Sequence, residues 1–173
     1  MMQALAASPA FRDVNVADFA TFVAGLETVQ LAAGETLFRQ GDDGTTVYYV
    51  VEGRLDVLVA RPGGGQQKLT QLDLGDYTGG MALLTGRSRA ATVRAATAAT
   101  LIGISAPSLD AIALLEPHTK AYILEVTARR LPVLHLASIE LFRGLDAELL
   151  AEFNRASNWV RLAGGDVLFR QND

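Results

Sequence analysis

The chain has 173 residues, half of them hydrophobic and a fifth charged, with 15 Lys and Arg against 19 Asp and Glu. That size and balance give a globular protein with one good core, and the formal charge of −4 argues against a general nucleic-acid binder, which needs clustered Lys and Arg to neutralise phosphates. Cysteine is absent, which excludes disulfides, thiolate nucleophiles and Cys-ligated zinc. The two histidines, His118 and His135, stand in helical sequence without a spaced partner, so neither a metal site nor a catalytic residue is expected. MMQALAASPAF lacks a basic leader, and no stretch approaches the roughly 18 apolar residues of a membrane span. A cytoplasmic location, with no membrane or nucleic-acid partner, is the expectation for this chain.

In chain order, NVADFATFVAGL carries Val16, Phe19, Phe22, Val23 and Leu26 at helical spacing, with Asn15 placed to cap the helix. From Val29 to Ile104 the pattern changes to short β-rich runs: ETLFRQ, TVYYVVEG, RLDVLVA, QKLTQL, AATVRAA and TLIGI. Glycines punctuate them, Gly53 and Gly75 at turns, and RPGGGQ from Arg61 to Gln66 reads as a hairpin loop. Tyr48 and Tyr49 alternate in a strand, which predicts one in the core and one exposed. Such spacing indicates a small barrel or jelly roll. Ser105 then caps APSLDAIALLE, and after Pro117 the positions Ala121, Ile123, Leu124, Thr127 and Leu131 predict a further helix. Pro132 predicts a kink or an end.

Inside the β region, GDYTGGMALLTGRSRAATVRA, residues 75 to 95, has the make-up of a phosphate cradle. Gly79 and Gly80 let the backbone bend and approach a ligand, and GMALL forms one helical turn whose free amides, from Gly80 to Ala82, face an anion. Arg89 adds a permanent charge with a fork of donors. Ala90 and Ala91 leave room beside it, and Thr92 offers a hydroxyl. The competing reading makes Arg89 a surface residue paired with Asp73 or Asp76, and Arg129-Arg130 a solvated helix face or a switch contact.

The chain also repeats itself. Phe11 to Asp42 aligns without a gap on Phe142 to Asp173, with 13 of 32 positions identical, among them Phe22/Phe153, Val29/Val160, Leu31/Leu162 and Phe38/Phe169. Residues 8–138 are expected to form one complete unit and 139–173 the start of a second, truncated repeat. Trp159, Val160, Leu162, Leu168 and Phe169 would then lack a barrel of their own, which predicts a homodimer through this tail.

GETLFRQGD, YYVVEGRLDV, LDLGDYTGGMALLTG and SRAATVRA resemble, in order and spacing, the motifs of the cyclic nucleotide-binding domain family over about 130 residues. The resemblance implies a mainly β, α+β fold: a jelly-roll β-barrel with an N-terminal helix and C-terminal helices. It also implies a phosphate-binding cassette at Gly79, Gly80, Met81, Ala82, Arg89, Ala90, Ala91 and Thr92, with cAMP the ligand. Adenine is implied over guanine because Ala90 lacks the hydroxyl that favours guanine. The departure is Gly80, where the family carries the glutamate that accepts the ribose 2′-hydroxyl. Its loss removes about 1.5–3 kcal/mol, roughly ten- to a hundred-fold in affinity, and a glutamate restored there is expected to tighten binding.

Two functions therefore stand: a regulatory sensor that binds a cyclic nucleotide weakly, or a degenerate domain that keeps the fold for contacts without nucleotide affinity. An enzyme of the metal-barrel type is disfavoured because no histidine lies in a strand. LFRGLDAELLAEF followed by WVRLAGGDVLFRQ is similar to the junction in tandem-domain bacterial proteins of the neuropathy-target-esterase type. That similarity implies a patatin-like phospholipase beyond Asp173, since no Gly-x-Ser-x-Gly elbow occurs before it.

Overall fold

The computed structural model describes residues 5–61, 63–129, 136 and 145–157. Helix α1 (Val16–Ala24) begins where Asn15 Oδ1 accepts the Asp18 amide at 2.9 Å, so the cap read from sequence is made. Its apolar side packs on the short 3-10 turn Pro9–Phe11, whose Phe11 ring lies 5.6 Å from Phe19 and 5.5 Å from Phe22.

Eight strands follow among the described residues: β1 (Glu27–Leu31), β2 (Thr36–Phe38), β3 (Val47–Glu52), β4 (Leu55–Ala60), β5 (Gln66–Leu72), β6 (Tyr77–Thr78), β7 (Thr92–Ala95) and β8 (Ala99–Ile104). They form two antiparallel sheets, ordered β1-β8-β3-β6 and β2-β7-β4-β5. This is the expected jelly-roll layout, with one sheet facing the other across a core of Val50, Leu55, Val57, Val93 and Leu101. Between β4 and β5 the amide of Arg61 donates to Gly65 O at 3.1 Å and that of Gly64 to Arg61 O at 3.2 Å, closing the hairpin loop expected there.

The middle strands of the first sheet, β3 and β8, are covered on both faces. Ala99 and Leu101 of β8 point between the sheets, while Ile102 and Ile104 point to the helices beside Val47, Tyr49 and Tyr77. This corrects the reading of the tyrosine pair: Tyr49 is buried under the helices, and Tyr48 packs into the barrel with its ring 6.0 Å from Phe38. A strand with two covered faces has no exposed side to spare.

Helix α2 (Gly80–Thr85) interrupts the strands between β6 and β7, and α3 (Ala106–Leu115) and α4 (Pro117–Ala128) follow β8. Ser105 Oγ accepts the Ser108 amide at 3.2 Å at the start of α3, and Pro117 opens α4, where a missing amide hydrogen costs nothing. The kink expected at Pro132 lies outside the described residues, as do His135, Trp159, Val160, Leu162, Leu168 and Phe169. Among the described residues no helix is long and apolar enough to cross a membrane.

Helix α5 (Ala147–Ala156), from the sequence that repeats α1, docks on the barrel. Leu150 is 1% exposed in the inter-sheet core, and Gln67 Nε2 donates to Leu145 O at 2.6 Å. Leu150→Ala should therefore cost about 2–5 kcal/mol in urea unfolding, and Phe153→Ala, at a 43% exposed position, about 1 kcal/mol or less. Equal, small effects would show that α5 is undocked.

Candidate functional site

The barrel interior opens into a cavity of about 250 Å³ whose wall is mostly apolar, built by Phe38, Val57, Leu69, Leu72 and Val93 from the strands and Met81 and Ala82 from α2. Thr127 and Arg129 reach it from α4 and its end, and Ala147 and Ala151 of α5 close another side.

Arg89 is the buried cation of this wall. It is 5% exposed, and its Nη1 donates to Gly79 O at 2.6 Å. Its guanidinium carbon stands 4.3 Å from the Phe38 ring centroid and 5.9 Å from that of Tyr48. Its backbone is equally fixed: the Arg89 amide donates to Asp42 O at 2.7 Å, and the Gly41 amide donates to Arg89 O at 2.9 Å. Nε has no hydrogen-bond partner, and no ion pair to Arg89 occurs among the described residues. The pairing with Asp73 or Asp76 is thus not made; Asp76 Oδ2 instead accepts the Asp73 amide at 2.9 Å. Burial lowers the guanidinium pKa from its ordinary value, and Tyr48 and Asp42 act in the opposite sense. An arginine keeps its proton even so. The barrel therefore holds a desolvated positive charge with no ion-pair partner among the described residues.

Two glycines make the approach possible by different means. Gly79 has φ +84, and a Cβ there would stand 2.6 Å from both Arg89 Nη1 and Thr46 O. Only glycine fits that bend. Gly80 has no such backbone demand, yet its own Cβ would stand 2.6 Å from Thr127 Oγ1 and 3.2 Å from Thr127 Cβ. Helix α4 has closed on the place where a side chain at position 80 would go. Gly44 is a third close approach, with a would-be Cβ 2.6 Å from Arg89 Nη2.

Of the residues singled out from sequence, Gly79, Met81, Ala82, Arg89, Ala90 and Ala91 line the cavity. Gly80 and Thr92 do not. Gly80 is buried against α4, and Thr92 turns its hydroxyl to accept the Gln40 amide at 2.9 Å, tying β7 to the loop after β2. Arg129 lies at the cavity with its Nη2 donating to Glu125 Oε1 at 2.7 Å, largely exposed; Arg130 is outside the described residues. Sequence reasoning missed Phe38, Tyr48 and Thr127. Phe38 was visible as an identical position of the repeat, Phe38/Phe169, but identity in a repeat signals packing, not a cation platform. Among the described residues no three His, Asp or Glu gather as a metal site would require.

Comparison with known proteins fits this arrangement. The profile of the family described as "Cyclic nucleotide-binding domain" matches residues 28–114, half of the chain and every strand residue but Glu27. The chain belongs to the cyclic nucleotide-binding domain family. The cAMP-dependent protein kinase regulatory subunit of Blastocladiella emersonii is 32% identical over 163 residues, 94% of this chain and 38% of that protein. Among solved structures, the regulatory domain of Toxoplasma gondii PKA crystallised with cAMP is similar at 26% identity and TM-score 0.59, covering 90% of this chain and 56% of that one. The Catabolite Activator Protein of Thermus thermophilus is similar at 25% identity and TM-score 0.64, covering 83% and 63%. This cyclic nucleotide-binding domain spans about two-fifths of the length of the kinase subunit it matches.

Proposed function

We propose that this chain is a ligand-sensing regulatory domain that takes a cyclic nucleotide, cAMP in preference to cGMP, into the cavity beside Arg89. The observation that carries the reading is the buried Arg89 guanidinium on the cavity wall, with Nε unbonded and no carboxylate paired to it among the described residues. An anion that enters gains charge-assisted hydrogen bonds in a desolvated setting and relieves an unpaired charge. The phosphate would meet Arg89 and the first amides of α2, and the base would lie on the apolar wall of Leu69, Leu72 and Val93.

The same cavity supplies a regulatory route. Its wall belongs partly to the barrel and partly to α4 and α5, so a ligand touching all three favours one arrangement of helices against strands. Differential contact of that kind is what coupling to an output requires. By its similarity to tandem-domain bacterial proteins of the neuropathy-target-esterase type, the junction sequence makes a patatin-type phospholipase one candidate output, beside a channel or a kinase.

Preference for adenine follows from the resemblance at Ala90, and weak binding from the lack of a carboxylate at position 80. In calorimetric titrations cAMP should bind with a dissociation constant of tens of micromolar, and cGMP at least about five-fold more weakly. Tighter binding of cGMP would overturn the assignment. A second reading, a domain that keeps the fold without nucleotide affinity, draws on the way α4 fills the space at Gly80; it predicts no heat with either nucleotide.

A further inference from the structure

Thr127 is 4% exposed, lines the cavity, and has a hydroxyl with no hydrogen-bond partner among the described residues. A buried helical threonine ordinarily turns its hydroxyl back to the carbonyl one turn earlier. Leaving it unpaired in a dry setting is costly. The hydroxyl also stands where a side chain at position 80 would be, 2.6 Å from the ideal Cβ of Gly80.

We infer that Thr127 is a specificity-determining residue of this site, and that its hydroxyl, standing where a side chain at position 80 of α2 would begin, pairs with the sugar hydroxyl of the bound nucleotide. The inference rests on the nucleotide reading given above. Position decides which part of the ligand it serves. The carbonyl of Gly79 holds Arg89, and Thr127 abuts the very next residue, Gly80. A group placed one residue from the anion-binding arginine faces the atoms joined directly to the phosphate. In a 3′,5′-cyclic nucleotide that neighbour is the sugar, whose 2′-hydroxyl sits on the carbon next to the 3′-ester. The base extends away from it.

Chemistry sets this contact apart from a carboxylate. A hydroxyl is neutral and can both donate and accept, so it takes the sugar hydroxyl without placing a negative charge beside an incoming phosphate. The contact is also made by α4 and not by the cassette, so the sugar itself would tie that helix to the ligand.

The test compares cAMP with 2′-deoxy-cAMP on the native chain, on Thr127→Val and on Thr127→Ser, by calorimetric titration. The native chain should prefer cAMP by about 3- to 10-fold. Thr127→Val, which keeps the shape and removes the hydroxyl, should lose that factor for cAMP and bind 2′-deoxy-cAMP as before. Thr127→Ser should retain the preference. If cAMP and 2′-deoxy-cAMP both bind and Thr127→Val weakens them equally or not at all, the assignment to Thr127 is overturned while the nucleotide reading stands. If the native chain binds neither, the nucleotide reading itself falls and this inference falls with it. The comparison of the two ligands on the native chain needs no mutant: equal binding of cAMP and 2′-deoxy-cAMP overturns the inference even if Thr127→Val fails to fold, and Thr127→Ser then carries the assignment to the hydroxyl.

Discussion

Arg89→Met should lower affinity for cAMP by about 30-fold to several thousand-fold, the equivalent of the roughly 2–5 kcal/mol lost when one partner of a desolvated charge pair is removed. Methionine preserves much of the contact with Phe38, which isolates the charge. Stability of the ligand-free chain should change much less, because two terms oppose each other. Gly79 O loses its 2.6 Å bond, which costs about 1 kcal/mol. Removing a buried charge that lacks a counter-ion returns part of its desolvation penalty. Net stability in urea should stay within about 2 kcal/mol of native. A variant that binds cAMP undiminished would show that the phosphate goes elsewhere, and one that is unfolded would make Arg89 a packing residue.

Gly80→Glu is the second large effect, and its sign is the reverse of what the family pattern implies. Any side chain at position 80 meets Thr127 at its first carbon, with Oγ1 at 2.6 Å, Cγ2 at 3.0 Å and Cβ at 3.2 Å. Rotating the threonine leaves its Cβ 3.2 Å away, so α4 must move. Overpacking of that kind costs about 1–3 kcal/mol. The single variant should lose stability by that amount and should not bind cAMP more tightly. Adding Thr127→Ala should restore most of the loss, giving a coupling of at least about 1 kcal/mol between the positions. Additive effects in the double-mutant cycle would show that the close approach is not real. In this chain a restored glutamate needs its own room made for it.

Legibility of this protein in its sequence followed from whether a residue's role was local. Asn15, Ser105 and the β4–β5 loop did what their sequence neighbours implied, because caps and hairpins are decided within a few residues. The cavity residues Gly79, Met81, Ala82, Arg89, Ala90 and Ala91 were found together because a motif of fixed spacing held them. Thr92 shared that motif, but its hydroxyl went to Gln40, a pairing across 52 positions that spacing does not encode. The short β6 is set by pairing of Tyr77 and Thr78 with β3 and carries no pattern of its own. Thr127 was read as one step of a helical stripe, and its unpaired hydroxyl depends on how α4 lies against α2. The repeat aligns residues 147–155 with the first helix, and says nothing of where that segment docks; Leu150 lies in the inter-sheet core. That contact follows from the cavity's open side, which only the folded barrel creates.

The direct test of the central claim is to titrate the isotopically labelled chain with cAMP and follow, by NMR, the Arg89 Nε–H signal together with the amides of Gly80 and Met81. Nε–H has no hydrogen-bond partner among the described residues, so a phosphate beside it should shift its resonance strongly, with all three signals moving along one saturable curve in the micromolar range. If these signals stay still while cAMP is added to millimolar concentration, the buried arginine is not the seat of an anion and the account is wrong.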